Sequence, residues 1–460
     1  MSDADLVIVG GGVAGLAAAD RAAARGRCVL LLEAADRPGG MLRSVRLAGR
    51  ERNIGADAYA VRGGAVQELL EDLGMAGEVV DPAPLGAWAV SGEDAYRLPR
   101  TGLLGIPAAV DADVERALGR AGAQRLRRDA ELGGLAGAEA RSLAELVELR
   151  LGRAALERLV TPVARGVYSL DPAELDHRVL VPGLAQRLRE TGSLMAAVAG
   201  LRRRAAPGAA VRGVGSMERI ARALAARAAS RGARIRTGAR AERIEAGSGL
   251  RRVFWRDAGG VLHQARADAV LLTAPPPAGG APWSPEPRLP EPVPTRVVLL
   301  AADVPELDAA PRGTGVLAGA EPGPFLAKAL THVSAKWPEP EREPARHVLR
   351  LSYGPRPELP ALDDEAAWSG PGLRERAAAD ASAMLGVRVP AAAVRDAATA
   401  LWRIPASAAR LGAGGPLAEL RERAAALSRV GLAGTWVDGT GLASVVPGAL
   451  RAVDALLDDG

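Results

Sequence analysis

The chain has 460 residues, 48% hydrophobic and 25% charged, enough to bury a large core and to form about three domains. Lys and Arg total 59 against 54 Asp and Glu, a net charge of +5, yet only Lys328 and Lys336 are lysines, leaving 57 arginines. The arginines are spread through helices that also carry acids instead of gathering with aromatics in one stripe, so no nucleic-acid partner is expected. A single cysteine, Cys28, and four scattered histidines exclude a disulfide framework and offer no metal-ligand spacing. Acids occupy the start, Met1-Ser-Asp-Ala-Asp5, where a signal peptide needs basic residues. No run reaches the roughly 18 apolar residues of a membrane span, so a cytoplasmic protein is expected.

Leu6-Val-Ile-Val9, Gly10-Gly-Gly-Val-Ala-Gly15 and the alanine-rich Leu16 to Arg25 read as strand, tight turn and helix. Gly26 ends that helix, and Cys28 to Glu33 is a second buried-type strand closing on an acid, which completes a βαβ unit. Glu68 to Leu73 continues a helix ended by Gly74. From Asp111 to Arg204 the pattern is helical throughout, with Ser142-Leu-Ala-Glu145 as a capping box. Ser216 to Arg231 is helical, and strand-like pieces follow at Arg234–Arg236, Arg252–Trp255 and Ala269–Thr273. Ala274 to Pro294, dense in Pro and Gly, marks a domain exit. Gly431 to Gly441 leads into a last helix from Val446 to Leu457.

Gly10-x-Gly12-x-x-Gly15 between strand and helix supplies what a pyrophosphate needs: a tight turn, close backbone approach and amides at a helix N-terminus. Val13 and Ala14 lie in the same turn. Glu33 is placed to accept from a ribose hydroxyl, and an acid there argues against a 2′-phosphate. The stretch Glu33-Ala-Ala-Asp-Arg37-Pro-Gly39-Gly40 adds a glycine pair that a plain NAD site lacks. It resembles the FAD-binding half of the flavin amine-oxidase and protoporphyrinogen-oxidase superfamily, in which a terminal Gly-rich stretch approaches the flavin. Leu432-Ala-Gly434-Thr-Trp-Val-Asp-Gly-Thr440-Gly441-Leu442 fits that role.

Further stretches are similar to the oxygen-dependent protoporphyrinogen/coproporphyrinogen III oxidases: Asn53-Ile-Gly-Ala-Asp-Ala-Tyr59, Leu98 to Pro107, Gly166-Val-Tyr-Ser-Leu-Asp-Pro172, Gly313 to Leu317, Ala329 to Pro338 and Arg350-Leu-Ser-Tyr-Gly354. The resemblance implies an α/β fold: a Rossmann-like FAD-binding domain assembled from discontinuous segments (1–85, 208–276, 430–460), an α+β substrate domain (86–98, 277–429) and a helical domain (99–207). It implies FAD as cofactor, a porphyrinogen and O2 as substrates, and six electrons removed in three hydride transfers with H2O2 released. Coproporphyrinogen III is favoured over protoporphyrinogen IX, because four carboxylates gain more than two from an arginine-rich pocket mouth. An amine- or carotenoid-type oxidoreductase and an inactive flavin-binding paralogue stay open as alternatives.

By position, the resemblance places Gly55, Ala56 and Asp57 beside the flavin, Ala241 at the adenine side, and Thr440, Gly441 and Leu442 at the C-terminal flavin contact. Tyr59, Arg62 and Lys328 are substrate-side candidates, no acid–base residue is assigned, and His332 is read as structural. Asn53 stands near where the family often has an acid, and Ala406 where it often has Gln. Product handover to a downstream chelatase is implied. Peripheral contact with the inner face of the membrane, through Leu194 to Leu201 and Arg202-Arg-Arg204, is weighed against an ordinary amphipathic helix end.

Overall fold

The strand Ala4–Val9 is buried along nearly its whole length, as expected of a parallel strand covered on both faces. It lies parallel between Val29–Leu32 and the last residues of Leu262–Leu272, and Arg234–Arg236 extends the parallel array. Leu262–Leu272 also pairs antiparallel with Arg251–Arg256, which pairs with Arg240–Glu245, and its end pairs parallel with Val430–Leu432. One seven-stranded sheet therefore draws on three stretches far apart in sequence. Alternation sorts its side chains: Leu6, Ile8, Leu31 and Leu271 join the core under the helices Val13–Ala24, Glu218–Ser230 and Leu442–Asp458. Val7, Val9, Leu30 and Leu272 join a second core with the helix Gly414–Ala426 and Trp436.

A second seven-stranded sheet runs in the order Val394–Ile404, Val293–Asp303, Arg346–Tyr353, Ala329–His332, Gly315–Ala318, Trp88–Ser91, Asp94–Arg97. All its pairings are antiparallel except that of Gly315–Ala318 with Trp88–Ser91. The helix Gly370–Leu385 covers one face through Leu373, Ala377 and Met384. Against Val297, Leu299 and Val348 lie Leu47 and Ile54, at the ends of the hairpin Ser44–Leu47/Arg50–Asn53, which thereby docks on this sheet.

The computed structural model describes residues 2–204, 210–246, 249–276, 289–339, 346–405 and 409–458. Ala406, most of the Ala274–Pro294 tract and the side chain of Arg204 lie outside the described residues. Between Asp111 and Arg204 the chain is not helical throughout. Gly119 breaks Ala112–Arg127 with φ of +68°, and Gly152, at φ of +89°, separates Leu143–Leu151 from the turns after it. The expected capping box is only half formed, since the Ser142 hydroxyl accepts from the Glu145 amide but Glu145 accepts from Arg141 instead. The last helix begins four residues earlier than its sequence pattern predicts, at Leu442, with Pro447 tolerated in its second turn. No helix among the described residues is long and apolar enough to cross a membrane.

Candidate functional site

The carboxyl ends of the parallel strands converge where an open α/β sheet binds its ligand. Thr273, ending Leu262–Leu272, donates its hydroxyl to the carbonyl of Val9 (3.0 Å) or of Gly10 (2.8 Å) and so ties two strand ends together. The glycines of the first turn have separate tasks. A Cβ on Gly15 would lie 1.9 Å from the Gly10 carbonyl oxygen, so Gly15 lets helix and strand meet. A Cβ on Gly12 would meet nothing within 4 Å. Gly12 is also the N-cap of the helix Val13–Ala24 and offers no side-chain cap, so the first amides of that helix, those of Val13, Ala14 and Gly15, have no capping oxygen.

Glu33 closes the second strand, and its carboxylate accepts from the amides of Gly11 (2.6 Å) and Ala35 (2.7 Å). Remaining lone pairs on both oxygens are free to take a sugar hydroxyl. Ala239 donates to the Glu33 carbonyl and Gly238 to that of Ala35, so the segment leading to Ala241 runs beside Glu33. Gly39 donates to the Gly11 carbonyl at 2.7 Å, and Gly40 packs against the Cα of Gly12. Gly55 approaches so closely that a Cβ would lie 1.9 Å from the Met41 carbonyl oxygen, which the Ala56 amide also reaches at 2.8 Å. Gly434, at φ of +103°, passes Thr273, and its amide is held by Asp438 at 2.8 Å. Thr440, Gly441 and Leu442 form the N-terminal end of Leu442–Asp458. One continuous cradle thus contains Gly10, Gly12, Val13, Ala14, Gly15, Glu33, Gly39, Gly40, Gly55, Ala56 and Gly434, with Ala241 and Thr440–Leu442 at its borders. An uncapped helix N-terminus, open space before Gly12 and a positioned acid fit FAD.

One expectation, Tyr59, needs correction, and two others gain detail. The Asp57 carboxylate is taken by the Lys336 ammonium (2.9 Å) and the Trp337 indole N–H (3.1 Å), which leaves only its backbone to a cofactor. Burial alone would raise this carboxyl, but the charges of Lys336 and Arg350 and the two hydrogen bonds hold it below the usual carboxylate range. The Arg37 guanidinium pairs with Glu218 at 3.3 Å while its side chain stays 49% exposed, which leaves donors for a cofactor. Tyr59 is 2% exposed and sits in the core with its hydroxyl on Gln67, so it offers a substrate no surface.

Arg62 is exposed and donates to the Ser444 hydroxyl (2.7 Å) at the start of the last helix, and its charge reaches the Tyr168 phenol. Lys328 is buried and donates to Ser169 (2.5 Å) and Thr295 (3.0 Å). Burial drops its ammonium to about 8. Asn53 works as a brace, accepting from the Met217 amide (2.8 Å) and facing the Val214 carbonyl with its NH2 group; an acid could not do both. His332 is fully buried on its strand, with its ring against His347. Sequence reasoning passed over Thr273 and Asp438; a hydroxyl ending a buried strand and an acid four residues after a glycine were the available signals. A cleft of about 540 Å³ borders Asp57, with Gly213, Gly215 and Trp337 on its walls.

Comparison with known proteins places the chain in a family. The family described as flavin containing amine oxidoreductase matches residues 13–301. Over 476 aligned positions, covering 100% of this chain and 98% of the relative, the chain is 29% identical to a coproporphyrinogen III oxidase of Mycobacterium tuberculosis. A crystal structure from Exiguobacterium sp. 255-15, provisionally titled a protoporphyrinogen oxidase, superposes over 100% of both chains with a TM-score of 0.79 and 24% identity. Cyclohexylamine oxidase from Brevibacterium oxydans shares the fold over 99% of both chains, with a TM-score of 0.61 and 17% identity. The chain belongs to the flavin-containing amine oxidoreductase family, and its cofactor is FAD.

Proposed function

We propose that this oxidoreductase converts a porphyrinogen to the porphyrin, with coproporphyrinogen III preferred to protoporphyrinogen IX and O2 as acceptor. The balance is coproporphyrinogen III plus three O2 giving coproporphyrin III plus three H2O2. The observation that carries this reading is likeness along the whole chain to proteins named coproporphyrinogen III oxidase. When bound, FAD supplies a two-electron acceptor that O2 can reoxidise. The chain supplies the rest: Gly12 and the amides after it hold the pyrophosphate, Glu33 the ribose, and the Gly39–Gly40 and Gly55–Ala56 backbones the remainder of the cradle. Lys336 and Trp337, fixed by Asp57, form a rigid wall beside it.

Two structural features favour an anionic substrate over an amine. Arg62, on the Ser444 hydroxyl, and Lys328, on Ser169 and Thr295, both carry positive charge, and among the described residues neither forms an ion pair with a carboxylate. Of the 13 aromatic residues, several are spent on packing: Tyr353 lies tilted against Trp368 in the core, Tyr59 and Tyr96 are buried, and Trp255 stacks on His263. Little remains to cage a neutral amine. The proposal retains the division into FAD-binding (1–85, 208–276, 430–460), substrate (86–98, 277–429) and helical (99–207) domains, and a cytoplasmic enzyme passing its product to a chelatase. The test is aerobic turnover of coproporphyrinogen III, protoporphyrinogen IX, putrescine and cyclohexylamine, read by porphyrin fluorescence and peroxide release across a salt series. Highest kcat/KM on coproporphyrinogen III, with an advantage that shrinks as salt rises, is expected. Faster turnover of either amine would overturn the proposal.

A further inference from the structure

Only two of the 59 basic residues are lysines, Lys328 and Lys336, and they sit eight positions apart, flanking the strand Ala329–His332: Lys328 just before it and Lys336 at the end of the short helix Val333–Lys336 that follows. Everywhere else this chain uses arginine, including for the fully buried pair of Arg150 with Asp129 and for the buried Arg296, which reaches the exposed Glu365. Lysine differs by being a compact point charge with three donors that can lose its proton when buried. Both lysines are held inside, with side-chain exposure of 19% for Lys336 and residue exposure of 9% for Lys328. Their partners differ. Lys336 has a carboxylate, Asp57. Lys328 has two neutral hydroxyls, one from each side of the seam between the helical segment and the sheet, which leaves one N–H without an acceptor among the described residues. Burying a charge without a counter-charge is costly, and the cost is removed when an anion arrives.

The charged groups around Lys328 are already engaged with other partners. On the strand Val293–Asp303, Thr295 binds Lys328, and the neighbouring Arg296 is committed to Glu365 and the Leu362 carbonyl. On Arg346–Tyr353, the Ser352 carbonyl accepts from the Lys328 amide. Tyr353 lies by Asp380, whose carboxylate accepts from the amides of Leu326 and Ala327 and so fixes the backbone just before Lys328. On the helical side, Ser169 holds a left-handed φ of +59°, a conformation kept in a non-glycine residue only where its surroundings impose it. Its neighbour Tyr168 feels the Arg62 charge, which lowers the phenol against the effect of burial. Asp380, the one acid among these groups besides the partner of Arg296, is thus already occupied.

We propose that Lys328 is a positioning residue that receives one carboxylate of the substrate at the seam between the Gly166–Pro172 turn and the second sheet. This rests on the porphyrinogen reading, and it assigns one side chain to substrate recognition and gives that recognition a pH limit. Carboxylates stay ionised at neutral and alkaline pH, whereas the ammonium is lost as pH rises through about 8. Affinity for the anionic ligand therefore falls above that value.

The test uses the FAD-loaded full chain with coproporphyrin III, a stable tetracarboxylate, and its uncharged tetramethyl ester, titrated by fluorescence quenching at pH 7 and 9.5. Wild type is expected to bind the acid about tenfold tighter than the ester at pH 7 and to lose most of that preference at pH 9.5. K328M is expected to show the reduced preference at both pH values, with ester affinity and flavin content unchanged. S169A keeps the ammonium and should keep the preference. The wild-type pH dependence tests the proposal without any variant, so a K328M chain that fails to fold does not decide the matter. An unchanged acid-to-ester ratio in folded K328M, or no loss of preference in wild type at pH 9.5, overturns the role of Lys328 and leaves the porphyrinogen reading standing. Binding of neither porphyrin by wild type overturns both.

Discussion

Gly12 and Gly15 lie three residues apart in one turn, and their substitutions should fail in different ways. In Gly15→Ala the new Cβ would lie 1.9 Å from the Gly10 carbonyl oxygen, where contacts under 3.0 Å essentially do not occur. The obstacle is backbone, and Gly10 is itself fixed at φ of +107°, so the loop must move. Overpacking costs about 1–3 kcal/mol, and a backbone collision belongs at or beyond the upper end. In Gly12→Val the backbone (φ −68°, ψ −179°) suits any residue and the side chain enters open space, so the folding cost should stay under about 1 kcal/mol. That open space is where a pyrophosphate must approach, so FAD affinity should fall at least about 100-fold, or 2.7 kcal/mol. The assay pairs flavin absorbance after gel filtration with thermal unfolding in added FAD. At 100 times its Kd the cofactor stabilises the native state by about 2.7 kcal/mol. Wild type should gain that increment, Gly12→Val should fold but gain at most about 0.4 kcal/mol at the same FAD concentration, and Gly15→Ala should be destabilised with or without FAD. A folded Gly12→Val retaining stoichiometric flavin would refute the assignment of this turn.

Asp57→Ala strands Lys336 beside Arg350 and should cost about 3–5 kcal/mol in urea unfolding. Because that carboxyl is held below its ordinary value, its contribution is present above the unfolded pKa of about 3.9 and is lost only as pH falls through the lower folded value; the penalty should be constant from pH 8 to about 5. Arg150→Met removes the guanidinium that pairs with Asp129, both 0% exposed, and should cost a similar ~3–5 kcal/mol in the same assay, with loss of helical circular dichroism first. For Lys328, burial lowers the folded pKa from 10.5 to about 8, so the unfolded chain binds more protons between these values and stability rises with pH across that window, by about 3 kcal/mol at most. Lys328→Met forfeits two hydrogen bonds of about 1 kcal/mol each, so it should be the more stable chain at pH 7 and the less stable at pH 10.5; the same order at both values would refute the inferred burial of a charge.

What could be read from the sequence was local. Gly10 to Gly15 and Glu33 lie within one βαβ unit whose geometry follows from short-range glycine and helix-end chemistry. Side-chain fates set by distant partners were not legible. Asp57 meets Lys336 and Trp337, 279 and 280 positions away, and Lys328 meets Ser169 across 159 positions. Motif position placed Asp57 near the cofactor but could not say what its carboxylate binds. Tyr59 lies in a strand of two residues, too short for alternation to assign a face, and pairing with Arg212 turns its ring into the core. Helical periodicity from Asp111 to Arg204 concealed the breaks at Gly119 and Gly152, because an isolated glycine does not disclose whether it takes positive φ.

The central claim is that the FAD in this cradle takes electrons from a porphyrinogen. The most direct measurement mixes the FAD-loaded protein anaerobically with coproporphyrinogen III and, separately, with putrescine, and follows flavin absorbance in a stopped-flow instrument. The account predicts rapid bleaching by coproporphyrinogen III, recovery of the oxidised spectrum with porphyrin fluorescence on admitting O2, and no bleaching by putrescine. Bleaching by putrescine with none by coproporphyrinogen III would contradict it.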